Sequence, residues 1–181
     1  MIKVYDNIIP SNLSKNIKNH IFGEDGLQRM PFYFVSDLTS KTDINLDYGF
    51  GSNLLINENY DVSKGKSMLL TPLLLLSIYK NFFINNIILA RTYIQLPTLN
   101  PGPQIKHTDL DYPHLVCLYY VNDSDGDTIF FDDNDNEIKR ISPKEGRIAL
   151  FNGNIKHCGS KPSTFPRSVI NICFNTWQNI K

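Results

Sequence analysis

The chain has 181 residues, which is enough for one domain with a sizeable hydrophobic core. Hydrophobic residues make up 41% and aromatic residues 12% of it, a composition typical of globular rather than disordered proteins. The formal net charge is zero, so no overall field attracts the chain to nucleic acid or to an anionic membrane. Cys117, Cys158 and Cys173 show no C-x-x-C spacing, and we expect buried thiols in a reducing compartment.

The sequence gives no sign of targeting to a membrane. Its first residues lack the apolar run of a secretory signal peptide. The most apolar segment, residues 68–78, includes Pro72 and is shorter than the roughly 20 apolar residues that cross a bilayer. We therefore expect a soluble, cytoplasmic protein.

The N-terminal part of the chain predicts a short strand, an amphipathic helix and a second strand. The first strand covers residues 3–5. Apolar residues at positions 13, 17, 21 and 22 follow a turn and predict a helix that ends near Gly23. The aromatic residues 32–35 predict the second strand.

The next segment combines a polar region with the main helix. Residues 39–66 are rich in Asn, Asp, Ser and Gly and predict long loops that vary with substrate, with one weak strand at 50–56. Residues 68–84 predict the main helix, in which Pro72 fits only within the first turn.

From residue 86 onward the pattern changes to short strands separated by turns. Residues 87–96 alternate so that Arg91, Tyr93 and Gln95 share one face. Turn signals separate the other predicted strands, which lie at 114–121, 128–131, 138–141, 147–151 and 168–177. Seven or eight short strands indicate a mainly β sandwich or jelly roll with supporting helices. We expect one domain over 1–181, in which 1–86 support a strand core at 87–181.

The strongest functional signal is His107-Thr108-Asp109. In an extended strand His107 and Asp109 point the same way, and both can bind a divalent metal. His157, which follows an apolar run, is the best third ligand, because two histidines and one carboxylate form the facial triad of non-haem Fe(II) oxygenases. Arg167, ten residues later at a strand start, is suited to bind the far carboxylate of a metal-chelating dicarboxylate.

These residues lie within a longer series of motifs: H-T-D at 107–109, L-Y-Y-V-N-D at 118–123, G-D-T-I-F at 126–130, G-R-I-A-L-F at 146–151, K-H at 156–157 and R-S-V-I-N-I at 167–172. With them, residues 86–181 resemble the 2-oxoglutarate and Fe(II)-dependent dioxygenases. The likeness is to the small prolyl-4-hydroxylase-like group, which includes phage-encoded members and so would act in the host cytoplasm. Residues 5–10 and 31–34 resemble this group more loosely.

The resemblance implies a double-stranded β-helix, the jelly roll of cupin-like proteins, with helices packed on one sheet. It implies Fe(II) bound by His107, Asp109 and His157, 2-oxoglutarate held by Arg167, and O2 as the oxidant. Two departures stand out. Many relatives have Gly-Gly-x-Thr where residues 125–128 contain one glycine, and prolyl-4-hydroxylases proper usually carry Lys in place of Arg167.

Four further residues are candidates for the same site. Tyr93 is our choice for a second hydrogen bond to the cosubstrate carboxylate and Tyr119 is its rival, although either can be a packed core tyrosine. Asn171 shares the face of Arg167 and is assigned to cosubstrate binding. Arg91 shares the face of Tyr93 and either lines the substrate cleft or pairs with an aspartate.

Other metal sites fit less well. His114 follows Asp109 too closely to complete the triad, and we expect it to be exposed. The Asp-rich segment 123–127 has Thr128 and Asn134 where an EF-hand needs Gly and Glu, so it predicts a solvated hairpin end. A zinc site with the same triad would give Arg167 no role.

The sequence therefore predicts a hydroxylase of a C–H bond, in a prolyl or other residue of a peptide. Alternatives are hydroxylation of a free amino acid or small metabolite, and a non-catalytic jelly-roll binding module. The nucleic-acid demethylases with the same iron chemistry typically have a second Arg six residues after the cosubstrate Arg. Here that residue is Cys173, and the neutral charge also disfavours nucleic acid.

Overall fold

Two antiparallel sheets dominate the computed structural model, which describes residues 1–23, 30–35, 49–56, 59–60 and 63–177. Helix α1 is Ser11–Phe22, and a 3-10 helix, Ser63–Leu70, leads into helix α2, Thr71–Lys80. The strands are β1 Ile2–Tyr5, β2 Tyr33–Val35, β3 Gly49–Ile56, β4 Asn59–Tyr60, β5 Ile84–Gln95, β6 Gly102–Pro103, β7 Leu115–Tyr120, β8 Thr128–Phe131, β9 Glu137–Ile141, β10 Ile148–Asn152, β11 His157–Lys161 and β12 Arg167–Thr176.

The larger sheet has the strand order β1-β10-β7-β12-β5-β3-β2, with β4 paired to β3, and the smaller sheet has the order β6-β11-β8-β9. One face of the larger sheet packs on the helices, where Ile17 of α1 and Leu73 of α2 share a core with Ile170 of β12. The opposite face packs on the smaller sheet, where Val169 and Phe130 share a second core. Because strands alternate their side chains, the central strands β7 and β12 bury both faces. The predicted mainly β class with supporting helices is confirmed.

Most of the predicted strands are confirmed, including the weak one, which is β3. The predicted helix at 68–84 is wrong in its extent. Pro72 has no N–H to donate and is accommodated in the first turn of α2, so the residues before Thr71 form the 3-10 helix. Asn81 ends α2 in the left-handed region with φ 53°, and β5 already begins at Ile84.

Two further expectations have clear outcomes. Helix α1 ends as predicted, because Gly23 has φ 76° and its N–H bonds to the Asn19 carbonyl. Residues 107–109 do not form the predicted strand, since only His107 pairs, in a single antiparallel bridge with His157. The predicted long loops within 39–66 lie partly outside the described residues. Among the helices described here, none is both long and apolar enough to cross a bilayer.

Candidate metal centre and adjoining pocket

His107, Asp109 and His157 converge between the two sheets. His157 opens β11 and exchanges two backbone hydrogen bonds of 2.9 Å with His107, which brings the ring centroids to 4.8 Å. One ligand atom from each of the two histidines and from Asp109 lies within 4.8 Å of the others. The three residues that the sequence predicted as metal ligands therefore lie together in one cluster.

Both histidines are oriented by the backbone. His107 Nδ1 lies 3.0 Å from the Ile105 carbonyl oxygen, and His157 Nδ1 lies 3.0 Å from that of Ile155. A carbonyl only accepts, so Nδ1 carries the proton in each ring and Nε2 is left with a lone pair. Burial, together with neighbouring His157, lowers the pKa of His107. A neutral imidazole with a free Nε2 is the form that binds a metal.

The two oxygens of the Asp109 carboxylate differ in their hydrogen bonds within the described part of the chain. Its Oδ1 accepts hydrogen bonds from Arg91 Nη2 at 2.8 Å and Asn171 Nδ2 at 2.9 Å. Its Oδ2 is buried, lies 3.5 Å from His157 Nε2, and has no hydrogen-bond donor among the described residues. Burial opposes ionisation, but the pKa of Asp109 is held well below its usual range, with the Arg91 guanidinium beside it as one cause.

This geometry fits a bound cation. With Nδ1 of His157 protonated, Nε2 and Asp109 Oδ2 direct lone pairs at each other and repel unless a positive charge lies between them. An ionised carboxylate oxygen buried without a partner is otherwise costly. The buried bare oxygen and the two imidazole nitrogens are the donor set of the 2-His-1-carboxylate triad.

Arg167 lies at the other end of the same pocket. It is 6% exposed and donates from Nε to the Gly126 carbonyl at 2.8 Å, from Nη1 to Gln95 Oε1 at 3.0 Å and from Nη2 to Thr128 Oγ1 at 3.0 Å. These acceptors are all neutral, and no carboxylate pairs with Arg167 in the described part of the chain. Two of its five N–H protons remain unused. A buried cation without a counterion favours an anionic ligand.

One pocket connects the two ends. Polar side chains lie at both ends of it, and Leu118 and Val169 contribute apolar surface between them. Its lining consists of Arg91, Tyr93, Gln95, Gln104, His107, Asp109, Leu118, Thr128, His157, Gly159, Arg167, Val169 and Asn171.

The two tyrosine candidates lie on opposite faces of the larger sheet. Tyr93 lines the pocket, and its ring centroid lies 5.0 Å from the Arg91 guanidinium carbon. Burial raises the pKa of Tyr93 to about 12, so its hydroxyl stays protonated and available to donate. Tyr119 instead packs in the helix-side core and its hydroxyl bonds to Ser14 Oγ at 2.9 Å. The assignment of Tyr119 to the cosubstrate is therefore wrong.

Two more assignments change with the structure. Arg91 forms the aspartate ion pair that was its alternative interpretation, and the aspartate is Asp109 itself. Asn171 donates to Asp109, so its side chain orients a candidate metal ligand and is not free for the cosubstrate as predicted. His114 is not exposed as expected but 4% exposed, because its Nδ1 bonds to the Tyr112 carbonyl and its ring packs against Gly153.

The structure also adds pocket residues that the sequence did not single out. Thr128 Oγ1 accepts from Arg167 and from the hydroxyl of Tyr120, the neighbour of the rejected tyrosine. Gln104 accepts a hydrogen bond from Gln95 at 2.7 Å. A Cβ on Gly126 would lie 2.6 Å from a backbone oxygen and 2.9 Å from Arg167 Cδ, so the single glycine of this hairpin is the one that the guanidinium side chain needs.

Comparison with known proteins finds similar structures, but no match at the level of sequence. The sequence matches no protein-family model and no curated protein. An oxidoreductase of the 2OG-Fe(II) oxygenase family from Burkholderia pseudomallei is similar in structure, with a TM-score of 0.72 and 10% identity over 96% of this chain and 84% of that one.

Two prolyl hydroxylases are also similar. One, from Trichoplax adhaerens in complex with a hypoxia inducible factor peptide, gives a TM-score of 0.65 and 15% identity over 96% of this chain and 82% of that one. The other is the viral collagen prolyl hydroxylase of Paramecium Bursaria Chlorella virus-1 in complex with 2OG. It gives a TM-score of 0.57 and 12% identity over 98% of this chain and 96% of that one. The chain therefore has the double-stranded β-helix fold of the 2-oxoglutarate and Fe(II)-dependent oxygenases.

Proposed function

We propose that this protein is a 2-oxoglutarate and Fe(II)-dependent oxygenase that hydroxylates a C–H bond. The observation that carries the proposal is the complementary lack of partners at the two ends of one pocket. Among the described residues, Asp109 Oδ2 is buried without a donor at one end, and Arg167 is a buried guanidinium without a counterion at the other. A cation and an anion together supply what both ends lack.

The pocket between these ends fits a short diacid. Arg167, Val169 and Asn171 follow one another on one face of β12, opposite Gln95, Tyr93 and Arg91 of β5. From the Arg167 end, the pocket is lined first by a cationic group, then by apolar side chains and last by the proposed metal ligands. A five-carbon 2-oxo diacid has the matching order of a carboxylate, two methylene groups and a chelating 2-oxo acid. Arg167 would hold the far carboxylate with its two unused N–H protons.

The residues of the chain divide the work between them. His107, Asp109 and His157 would hold Fe(II), which with 2-oxoglutarate and O2 supplies the oxidising chemistry. Arg91 and Asn171 fix the carboxylate that binds the metal. Leu118 and Val169 keep water from the middle of the pocket, which strengthens the charge interactions at both ends.

We propose that the substrate is a peptide and that the hydroxylated group is a prolyl or other residue within it. The support is the fold likeness to prolyl hydroxylases, one of them in complex with a peptide and one from a virus. A source in a phage and a site of action in the host cytoplasm belong to this proposal as well. Hydroxylation of a small metabolite is the outcome that a product search would distinguish.

The test is conversion of 2-oxoglutarate to succinate under air with added Fe(II), followed by a mass-spectrometric search for peptides that gain one oxygen atom. We expect succinate from the wild type and none from His107→Ala or Asp109→Ala. Asp111→Ala, an exposed aspartate two residues along, is the matched control and keeps full turnover. Equal yields from wild type and His107→Ala, or none from wild type that binds Fe(II), refute the oxygenase proposal.

A further inference from the structure

Gln104 lies beside Arg167 at the closed end of the pocket. Its backbone N–H bonds to the Gly159 carbonyl at 2.9 Å, next to the pairing of β6 with β11. A Cβ added to Gly159 would lie 2.7 Å from Gln104 Oε1 and 3.4 Å from the Arg167 guanidinium. Gln104 and Arg167 therefore border the same small volume.

A chain of hydrogen bonds fixes which way the Gln104 amide points. Arg167 only donates, so Gln95 must present Oε1 to it, at 3.0 Å. Gln95 Nε2 then donates to Gln104 Oε1 at 2.7 Å. With its oxygen used in this way, Gln104 has its Nε2 group left as a donor. The amide orientation follows from the arginine and needs no further assumption.

That donor is unused in the described part of the chain. Gln104 Nε2 is shielded from solvent, and no acceptor pairs with it among the residues that the structure describes. Gln104 lines the pocket together with Arg167, Thr128 and Gly159. A buried N–H without an acceptor is destabilising unless a ligand supplies one.

We infer that Gln104 is a positioning residue for the cosubstrate, donating from Nε2 to the same far carboxylate that Arg167 binds. This inference rests on the proposed function and gives the carboxylate a second, neutral donor. Tyr93 was predicted to make this hydrogen bond, but Gln104 is the better candidate because the hydrogen-bond network fixes Nε2 as a donor that is already buried. The Gln95–Gln104 pair also holds Arg167 in place for the ligand.

The test compares two 2-oxo acids that differ only at the far end. 2-Oxoglutarate and 2-oxopentanoate are titrated calorimetrically, under nitrogen, into the full chain loaded with Mn(II). Gln104→Met removes the donor at similar volume, and Asn100→Ala, an exposed amide of the same loop, is the control. Loss of a hydrogen bond to a charged group predicts about tenfold or more weaker binding of 2-oxoglutarate by Gln104→Met, with 2-oxopentanoate unaffected.

Gln104→Glu places a carboxylate beside Arg167, and we expect it to compete with the diacid and weaken its binding further. Thermal unfolding of the metal-loaded proteins shows that each variant is folded. Wild-type affinity for 2-oxoglutarate in Gln104→Met, or equal losses for both 2-oxo acids, overturns the role of Gln104 while the proposed function stands. A wild type that binds Mn(II) but no 2-oxoglutarate overturns both.

Discussion

Substitution of Asn171 tests how the proposed metal ligand Asp109 is held in place. Its Nδ2 donates to Asp109 Oδ1 at 2.9 Å, next to the 2.8 Å bond from Arg91. Arg91→Met would mix two opposing effects, because it removes a hydrogen bond and also a cation that repels the metal. Asn171→Ala removes only a neutral donor, so the change in metal affinity measures positioning alone.

Two estimates give the same magnitude for Asn171→Ala. A hydrogen bond to a charged group contributes about 1.5–3 kcal/mol, which is a factor of roughly 10 to 150 in a binding constant. Removal of a group that orients a metal ligand typically weakens metal binding about 10- to 100-fold. Because Arg91 still holds Asp109 Oδ1, we expect a value near the lower end, about tenfold.

The assay is a titration of the metal-free protein with Mn(II), without cosubstrate, followed by calorimetry. Asn175→Ala, a half-buried asparagine further along β12, is the matched control and is expected to bind like the wild type. Asp109→Ala sets the scale for complete loss of the ligand. If folded Asn171→Ala binds Mn(II) as tightly as the wild type while Asp109→Ala does not bind it, the hydrogen bond has no positioning role.

Three other predictions concern the pocket floor, the helix-side core and a surface turn. Gly159→Ala places a methyl group 2.7 Å from Gln104 Oε1 and in contact with the Arg167 guanidinium, so Gln104 must shift. The binding of 2-oxoglutarate is expected to weaken at least about tenfold, with Mn(II) affinity unchanged. Tyr119→Phe should lower the free energy of unfolding by about 0.5–1.5 kcal/mol and leave 2-oxoglutarate binding intact, which a binding titration checks. Hydrogen bonds from the Ser163 hydroxyl and from backbone N–H groups of 163–165 lower the pKa of Asp125. A depressed carboxyl pKa stabilises the fold above the unfolded value near about 4 and stops doing so as the pH falls through the folded value. Wild type should thus be more stable than Asp125→Asn to urea at pH 7, and the difference should shrink below about pH 4.

The sequence predicted the site best where polar side chains recur at every second position of a strand. Alternation along β5 put Arg91, Tyr93 and Gln95 on one face, and all three line the pocket. The spacing of His107, Asp109 and His157 predicted a metal-ligand cluster, and the structure brings one ligand atom of each residue within 4.8 Å of the others. The single pairing of His107 with His157 shows that a strand was not needed to bring them together.

The assignment of Tyr119 to the cosubstrate could not be tested in this way. Strand β7 is buried on both faces, so its sequence lacks the polar and apolar alternation that tells one face from the other. The structure places Tyr119 in the helix-side core, whereas Tyr120, opposite Val169 of β12, lies in the core between the two sheets. Gln104 lies in an irregular segment, where no alternation of side chains predicts which way it points. Its proposed role depends on the hydrogen bond from Gln95.

The position of the site depends on the residues that alternate with it along β12. Ile170 and Ile172 point to the helix-side core and are fully buried there, between Val169, Asn171 and Cys173 on the pocket side. A one-residue slip of β12 would reverse every side chain, placing Arg167 and Asn171 among the helices and the isoleucines in the pocket. Burial of each large apolar side chain contributes about 1.5–3 kcal/mol, whereas a buried charge without a partner costs several. The apolar face of the strand therefore holds a buried guanidinium that has no carboxylate partner among the described residues, and a cosubstrate carboxylate would relieve the cost.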